Sequence, residues 1–85
     1  MPVISRFLGI AIAMLYRDHN PPHFHAVYGE HEMTVAIEDG TVTGRLPRRA
    51  QALVLEWLSL HRDELRANWE RARAGEPLLP IPPLE

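Results

Sequence analysis

The chain has 85 residues, room for one domain and no more, and no cysteine, which excludes disulfides and thiolate metal sites. Its 46% hydrophobic and 24% charged residues are the balance of a globular domain, not a disordered one. The formal net charge of -2 does not suit a strongly basic nucleic-acid-binding domain, and all nine basic residues are arginine, so lysine-dependent catalysis is excluded.

No stretch reaches the ~18 apolar residues of a membrane span. The apolar run from Val3 to Leu15 is interrupted by Arg6, has no small-residue cleavage pattern after it and leads into Arg17-Asp18. It reads as strands and not as a signal peptide, and the expected location is cytoplasmic.

Taken in chain order, Met1 to Phe7 is a short strand and Leu8-Gly9 a turn. From Ile10 the side chains alternate, with Ile12, Met14 and Tyr16 on one face and Ala11, Ala13 and Leu15 on the other, which predicts a second strand. Asn20-Pro21-Pro22 interrupts the pattern, because proline donates no N–H and holds its predecessor extended. His23 to Tyr28 resumes as a strand, Gly29-Glu30 turns, and His31 to Ile37 alternates again. Asp39-Gly40 is a hairpin-turn dipeptide, and Thr41 to Leu46 is a candidate fifth strand.

Pro47 opens a helix at the position where a missing N–H costs nothing. Small and apolar residues recur at Ala50, Leu53, Val54, Trp57, Leu58, His61, Leu65, Asn68, Trp69 and Ala72, an i, i+3, i+4, i+7 stripe that ends at Gly75. The acidic pair Asp63-Glu64 suits a new first turn, so a kink or short break is expected near Leu60-His61. The expected fold is α+β: an antiparallel sheet of three to five strands over residues 2–46, with a helix over 47–74 packed on one face. The domain is expected over residues 1–76, with an extended tail over 77–85. That tail has four prolines, which forbid helix, and four large aliphatic residues, which a solvated linker would not have. It is expected to lie on the domain or on a partner chain.

The chemistry concentrates in Asp18-His19-Asn20-Pro21-Pro22-His23-Phe24-His25. On a strand, His23 and His25 share one face and Phe24 and Ala26 the other. A His-x-His pair with a nearby His or Asp is a possible three-ligand site for a divalent metal such as zinc, with His23 and His25 as its first candidates. The same histidines, His19, His23 and His25, are candidates for proton transfer in RNA cleavage, with Arg17 or Arg45 stabilising a phosphate. The alternative is structural: prolines shape a turn, and half-buried imidazoles bond to the backbone. His61, Trp57 and Trp69 lie on the helix stripe and read as core residues. Arg45, Arg48 and Arg49 read as a solvated helix end, with phosphate binding as the other possibility. No phosphate loop, nucleophile elbow or paired-carboxylate pattern is present.

The opening Met1-Pro2-Val3-Ile4-Ser5-Arg6-Phe7 with Gly9, the Asp-His-x-Pro-Pro-His-x-His core, Glu56-Trp57 and Asn68-Trp69-Glu70 together resemble a small bacterial family called domain of unknown function 4160. The resemblance carries no established activity or cofactor. It implies a genetic setting, in which such proteins are encoded beside a second small protein in pairs suggested to act like toxin–antitoxin modules. The first expectation is therefore an interaction or regulatory component of such a pair, forming a homodimer or a complex with the neighbour's product. The alternatives are a histidine-dependent ribonuclease or metal-binding enzyme, and then a transcriptional regulator, disfavoured by the acidic charge and by a helix stripe committed to the core.

Overall fold

The computed structural model describes all 85 residues. Five strands form one antiparallel sheet in chain order: β1 (Val3–Phe7), β2 (Ile10–Ala13), β3 (His23–Tyr28), β4 (His31–Ala36) and β5 (Val42–Gly44). A single helix follows, α1 (Arg48–Ala74). The α+β architecture is the expected one, with the sheet at the upper end of the expected strand number.

Local chemistry explains the tight turns. Leu8 and Gly9 both have positive φ, 50° and 82°, as a two-residue hairpin whose twist matches its strands requires. The Gly29-Glu30 turn sets the register of β3 against β4, pairing His25 with Thr34 and Val27 with Glu32. Two strands are shorter than the alternation suggested. β2 ends at Ala13, not Tyr16, because the chain leaves the sheet after Met14, whose N–H bonds the Pro2 carbonyl at 3.1 Å. β5 holds three residues and ends at Gly44 (φ 81°), where a Cβ would stand 2.8 Å from the Glu32 carbonyl oxygen. Only glycine fits that close approach.

Alternation then builds the core. Ile10, Ile12, Phe24, Ala26, Met33 and Val35 turn to the helix side and are buried against Val54, Trp57, Leu58 and Leu65. Trp57 is the centre of this packing: its ring meets Phe24 edge-on at 5.7 Å and Phe7 at 5.5 Å. The helix is interrupted at His61, which has non-helical angles (φ -126°, ψ 23°). Just before it, the Ser59 hydroxyl bonds back to the Glu56 carbonyl, a competition that bends helices. Gly75, left-handed at φ 74°, ends α1; its N–H bonds Ala72 O while Glu76 N–H bonds Arg71 O, so two terminal carbonyls are satisfied.

The tail lies on its own domain. Asn68, fully buried, donates to Leu79 O at 2.8 Å and accepts from Leu79 N–H at 3.0 Å. Trp57 Nε1 donates to Pro82 O at 2.9 Å, and Ile81 is buried with its N–H on the Ile4 carbonyl at 2.8 Å. The tail thus reaches the outer strand β1.

Candidate functional site

The face of the sheet turned from the helix carries His23 and His25 from β3, Thr34 and Ala36 from β4, and Thr43 from β5. The loop between β2 and β3 rises beside this face. Its course is tethered at the helix end, where Arg17 N–H bonds Ala72 O at 3.2 Å and the Arg17 guanidinium lies against Gly75. Loop and sheet together enclose a cleft of about 690 Å³ bounded by Leu15, Pro21 and Pro22 on one side and by Thr34, Ala36, Thr41 and Thr43 on the other.

At the cleft's loop end, Asp18, His23 and His25 converge. One ligand-capable atom from each lies within 4.8 Å of the other two. Oδ2 of Asp18 is 3.0 Å from Nε2 of His23 and 3.6 Å from Nε2 of His25. All three side chains are largely removed from solvent, with side-chain exposures of 14%, 9% and 13%. His23 also packs on the Trp69 ring, at 5.3 Å between centroids, which ties this corner to the helix.

The remaining ring nitrogens fix the tautomers. Nδ1 of His23 is 2.7 Å from the Pro21 carbonyl oxygen, which only accepts, so Nδ1 carries the proton. Nδ1 of His25 is 3.1 Å from Oε2 of Glu32 and donates in the same way. Both rings turn Nε2 toward the Asp18 carboxylate. Nε2 of His25 is buried and has no hydrogen-bond partner.

Burial pushes the Asp18 carboxyl upward, but the His19 backbone N–H (2.8 Å), the nearby His23 and His25 and the His19 ring outweigh it and hold the group below its usual range. Asp18 is therefore a carboxylate in this cluster.

Of the residues singled out in the sequence, His19 stands at the rim. Its side chain is 82% exposed, its ring stacks on His23 at 5.2 Å, and its Nε2 lies 3.6 Å from Oδ1 of Asp18. Arg45 is exposed on the stretch joining β5 to α1 and does not line the cleft. His61 does not join the cluster; it packs on the Trp57 ring and bonds Glu64. Two further residues shape the site: Glu32, which the sequence did not single out, and Trp69, which it marked only as a core residue. Glu32 was recoverable, because the two-residue Gly29-Glu30 turn places it diagonally across from His25. Trp69 was not, because its contact with His23 depends on where the second half of α1 crosses the sheet.

The family described as Domain of unknown function (DUF4160) matches residues 9–70, and the chain belongs to it. No curated protein and no solved structure matches the chain. No helix is long and apolar enough to cross a membrane.

Proposed function

We propose that this member of the DUF4160 family binds a divalent transition-metal ion through Asp18 Oδ2, His23 Nε2 and His25 Nε2, and uses the remaining coordination position to bind and polarise a ligand or water in the adjoining cleft. The observation that carries the reading is the buried, unpartnered Nε2 of His25, 3.6 Å from the Asp18 carboxylate that Nε2 of His23 also meets at 3.0 Å. With both imidazoles neutral and protonated on Nδ1, their Nε2 lone pairs and the carboxylate oxygen would repel one another unless a cation lay among them.

The distances are compatible with a metal. A tetrahedral ion with bonds of about 2.1 Å has ligand atoms about 3.4 Å apart. The separations of 3.0 and 3.6 Å bracket that value. The outer contacts agree: Pro21 O on one Nδ1 and the Glu32 carboxylate on the other are the partners that orient metal-ligating imidazoles. Two imidazoles and one carboxylate suit zinc or ferrous iron, and three protein ligands leave a position open. An ion there would lower the pKa of a bound water or polarise a carbonyl.

The competing explanation is a proton on His23, which would donate to Asp18 and leave a purely structural ion pair. Metal analysis of purified protein, with calorimetric titration of zinc and cobalt(II) into stripped protein, separates the two. Stoichiometric binding lost in His23→Ala and in His25→Ala supports the centre. A wild-type protein that takes up no metal removes it.

A second reading concerns partnership. The toxin–antitoxin-like role, as an interaction or regulatory component beside a second small bacterial protein, draws its main support from the family resemblance. The surface adds one observation: Leu8 and Tyr28, 61% and 37% exposed, flank a shallow depression edged by Leu53. Exposed apolar groups that cluster mark contact surfaces. Co-expression with the genomic neighbour, scored for complex formation and growth inhibition, tests this role, and light scattering tests the homodimer. Failure of the two chains to co-purify, with no effect on growth, would exclude the pairing. The ribonuclease and regulator alternatives have less support, since the proposed phosphate-binding Arg45 is outside the cleft and the inner face of α1 is buried against the sheet.

A further inference from the structure

The charge and shape of the cleft narrow what an ion on Asp18, His23 and His25 would meet. Its volume of about 690 Å³ is in the range of small-molecule sites and far below a surface that tracks a polymer. No arginine lines it, and the chain has no lysine.

The arginines nearest in the fold already have partners. Arg66 makes two hydrogen bonds to the Glu38 carboxylate, at 2.8 and 2.7 Å, and one to Asp63 at 2.8 Å. Arg62 donates Nε to the Ile37 carbonyl at 2.8 Å, and Arg17 lies against Gly75. The charged side chains that do line the cleft are Asp18, Glu38 and Asp39. Asp39 accepts from the Thr41 N–H, at 2.9 Å, and from the Thr41 side chain, and pairs with no arginine.

A phosphodiester or polyphosphate would bring several negative charges into this setting. A single divalent ion, already half neutralised by Asp18, could not offset them, and phosphate-binding sites supply arginine, lysine or helix N-termini for that purpose. Apart from His19 at the rim, the rest of the wall is apolar or weakly polar: Leu15, Pro21, Pro22, Ala36 and three threonines. Such a wall favours a neutral body with apolar surface, and the prolines hold it with little conformational freedom to lose.

We infer that the cleft takes a small, largely apolar molecule with no charge beyond that of an oxygen-donor group on the metal, and that it rejects nucleic acid and other polyanions. This rests on the metal reading above and names the ligand class of the same site. The threonine floor sets the size limit: Thr34 and Thr43 are cross-strand partners, and Thr41 lies beyond them at the β4–β5 turn.

The test uses the full chain loaded with cobalt(II), whose visible bands report its ligands, and three probes: acetohydroxamic acid, benzohydroxamic acid and a ten-residue oligouridylate. The two hydroxamic acids share the metal-binding group and differ in apolar body. Benzohydroxamic acid should shift the bands at a concentration at least tenfold lower than acetohydroxamic acid, and oligouridylate should leave them unchanged even at low salt. Thr43→Trp, at an exposed position on the floor, should abolish that tenfold preference while cobalt uptake stays as in the wild type. If that variant does not fold, Thr41→Trp in the adjoining turn serves the same purpose. Equal affinity for the two hydroxamic acids, bands that neither acid moves, a preference that survives a folded tryptophan variant, or displacement of benzohydroxamic acid by oligouridylate would each overturn the ligand class while leaving the metal centre standing. Failure to bind cobalt at all would remove both.

Discussion

Nε2 of His23 lies 3.0 Å from Oδ2 of Asp18, while Nδ1 of the same ring is held by the Pro21 carbonyl at 2.7 Å. The ring is thus fixed at both nitrogens by groups from one loop. If a metal sits between His23 and Asp18, Asp18→Asn exchanges an ionised ligand for an amide whose NH₂ can donate to Nε2, and an NH₂ hydrogen takes the cation's place. Metal affinity should fall by more than the ~10–100-fold typical of an outer contact, measured by competition with a chromogenic chelator. A variant that binds metal as the wild type does would exclude Asp18 as a ligand.

Glu32 acts one step out, through Nδ1 of His25 at 3.1 Å. Glu32→Ala removes the acceptor and should weaken metal binding by roughly 10–100-fold. Glu32→Gln keeps an acceptor oxygen and should recover much of the loss. Because the Glu32 side chain is 52% exposed, the melting temperature of the metal-free protein should hardly move in either variant. A large drop in that temperature with affinity unchanged would assign Glu32 to stability alone.

Asn68 joins the helix to the tail through both the N–H and the carbonyl of Leu79. Asn68→Ala strands those two groups in a buried setting, at a cost of about 1–3 kcal/mol. For a domain of this size each kcal/mol lowers the melting temperature by roughly 4–8 °C. Deleting residues 77–85 removes the same bonds and the buried Ile81 side chain, so it should destabilise at least as much. A deletion that melts with the wild type would show the tail to be idle.

Gly44 tests the end of β5. Gly44→Ala places a Cβ 2.8 Å from the Glu32 carbonyl oxygen at a φ of 81°. Since the neighbour is backbone and cannot swing aside, we expect a loss of about 1–3 kcal/mol, read by urea unfolding. Unchanged stability would mean that the β4–β5 pairing is looser than described.

Acid should weaken the fold through Glu38 and Asp39. Hydrogen bonds from Arg66 hold the Glu38 carboxyl below its usual range, and the Thr41 backbone N–H and side chain do the same for Asp39. A carboxyl whose folded pKa is depressed binds fewer protons folded than unfolded. Its contribution is present above the unfolded value, about 4, and fades as pH falls through the folded value. Asp39→Asn keeps an oxygen for the Thr41 N–H but cannot titrate, so its stability should fall less than the wild type's between neutral pH and about pH 3. Parallel curves for the two proteins would show that Asp39 contributes nothing to the acid response.

Much of this was legible in the chain. Period-two alternation marked β2 and β4, because side-chain direction along a strand is a property of the backbone itself, and turn residues bounded the other candidate strands. The same rule placed His23 and His25 on one face before any tertiary contact was known. The helical stripe, the Gly75 stop and the interruption at His61 are likewise local, set by propensity, capping and side-chain competition over a few residues.

What the sequence left open was convergence. Asp18 was one of eight residues in a motif; only the path of the loop, tethered from Arg17 to Ala72, brings its carboxylate onto two imidazoles. The same fold leaves Arg45 outside the cleft and sets Trp69 behind His23. The aliphatic residues of the tail signalled burial, but whether its surface lay on this chain or another depended on Asn68, Trp57 and Ile4 meeting it. Periodicity is written residue by residue, whereas these contacts depend on register, loop closure and helix crossing. Those are settled only when distant segments pack together and the lowest free energy of the whole chain selects one arrangement.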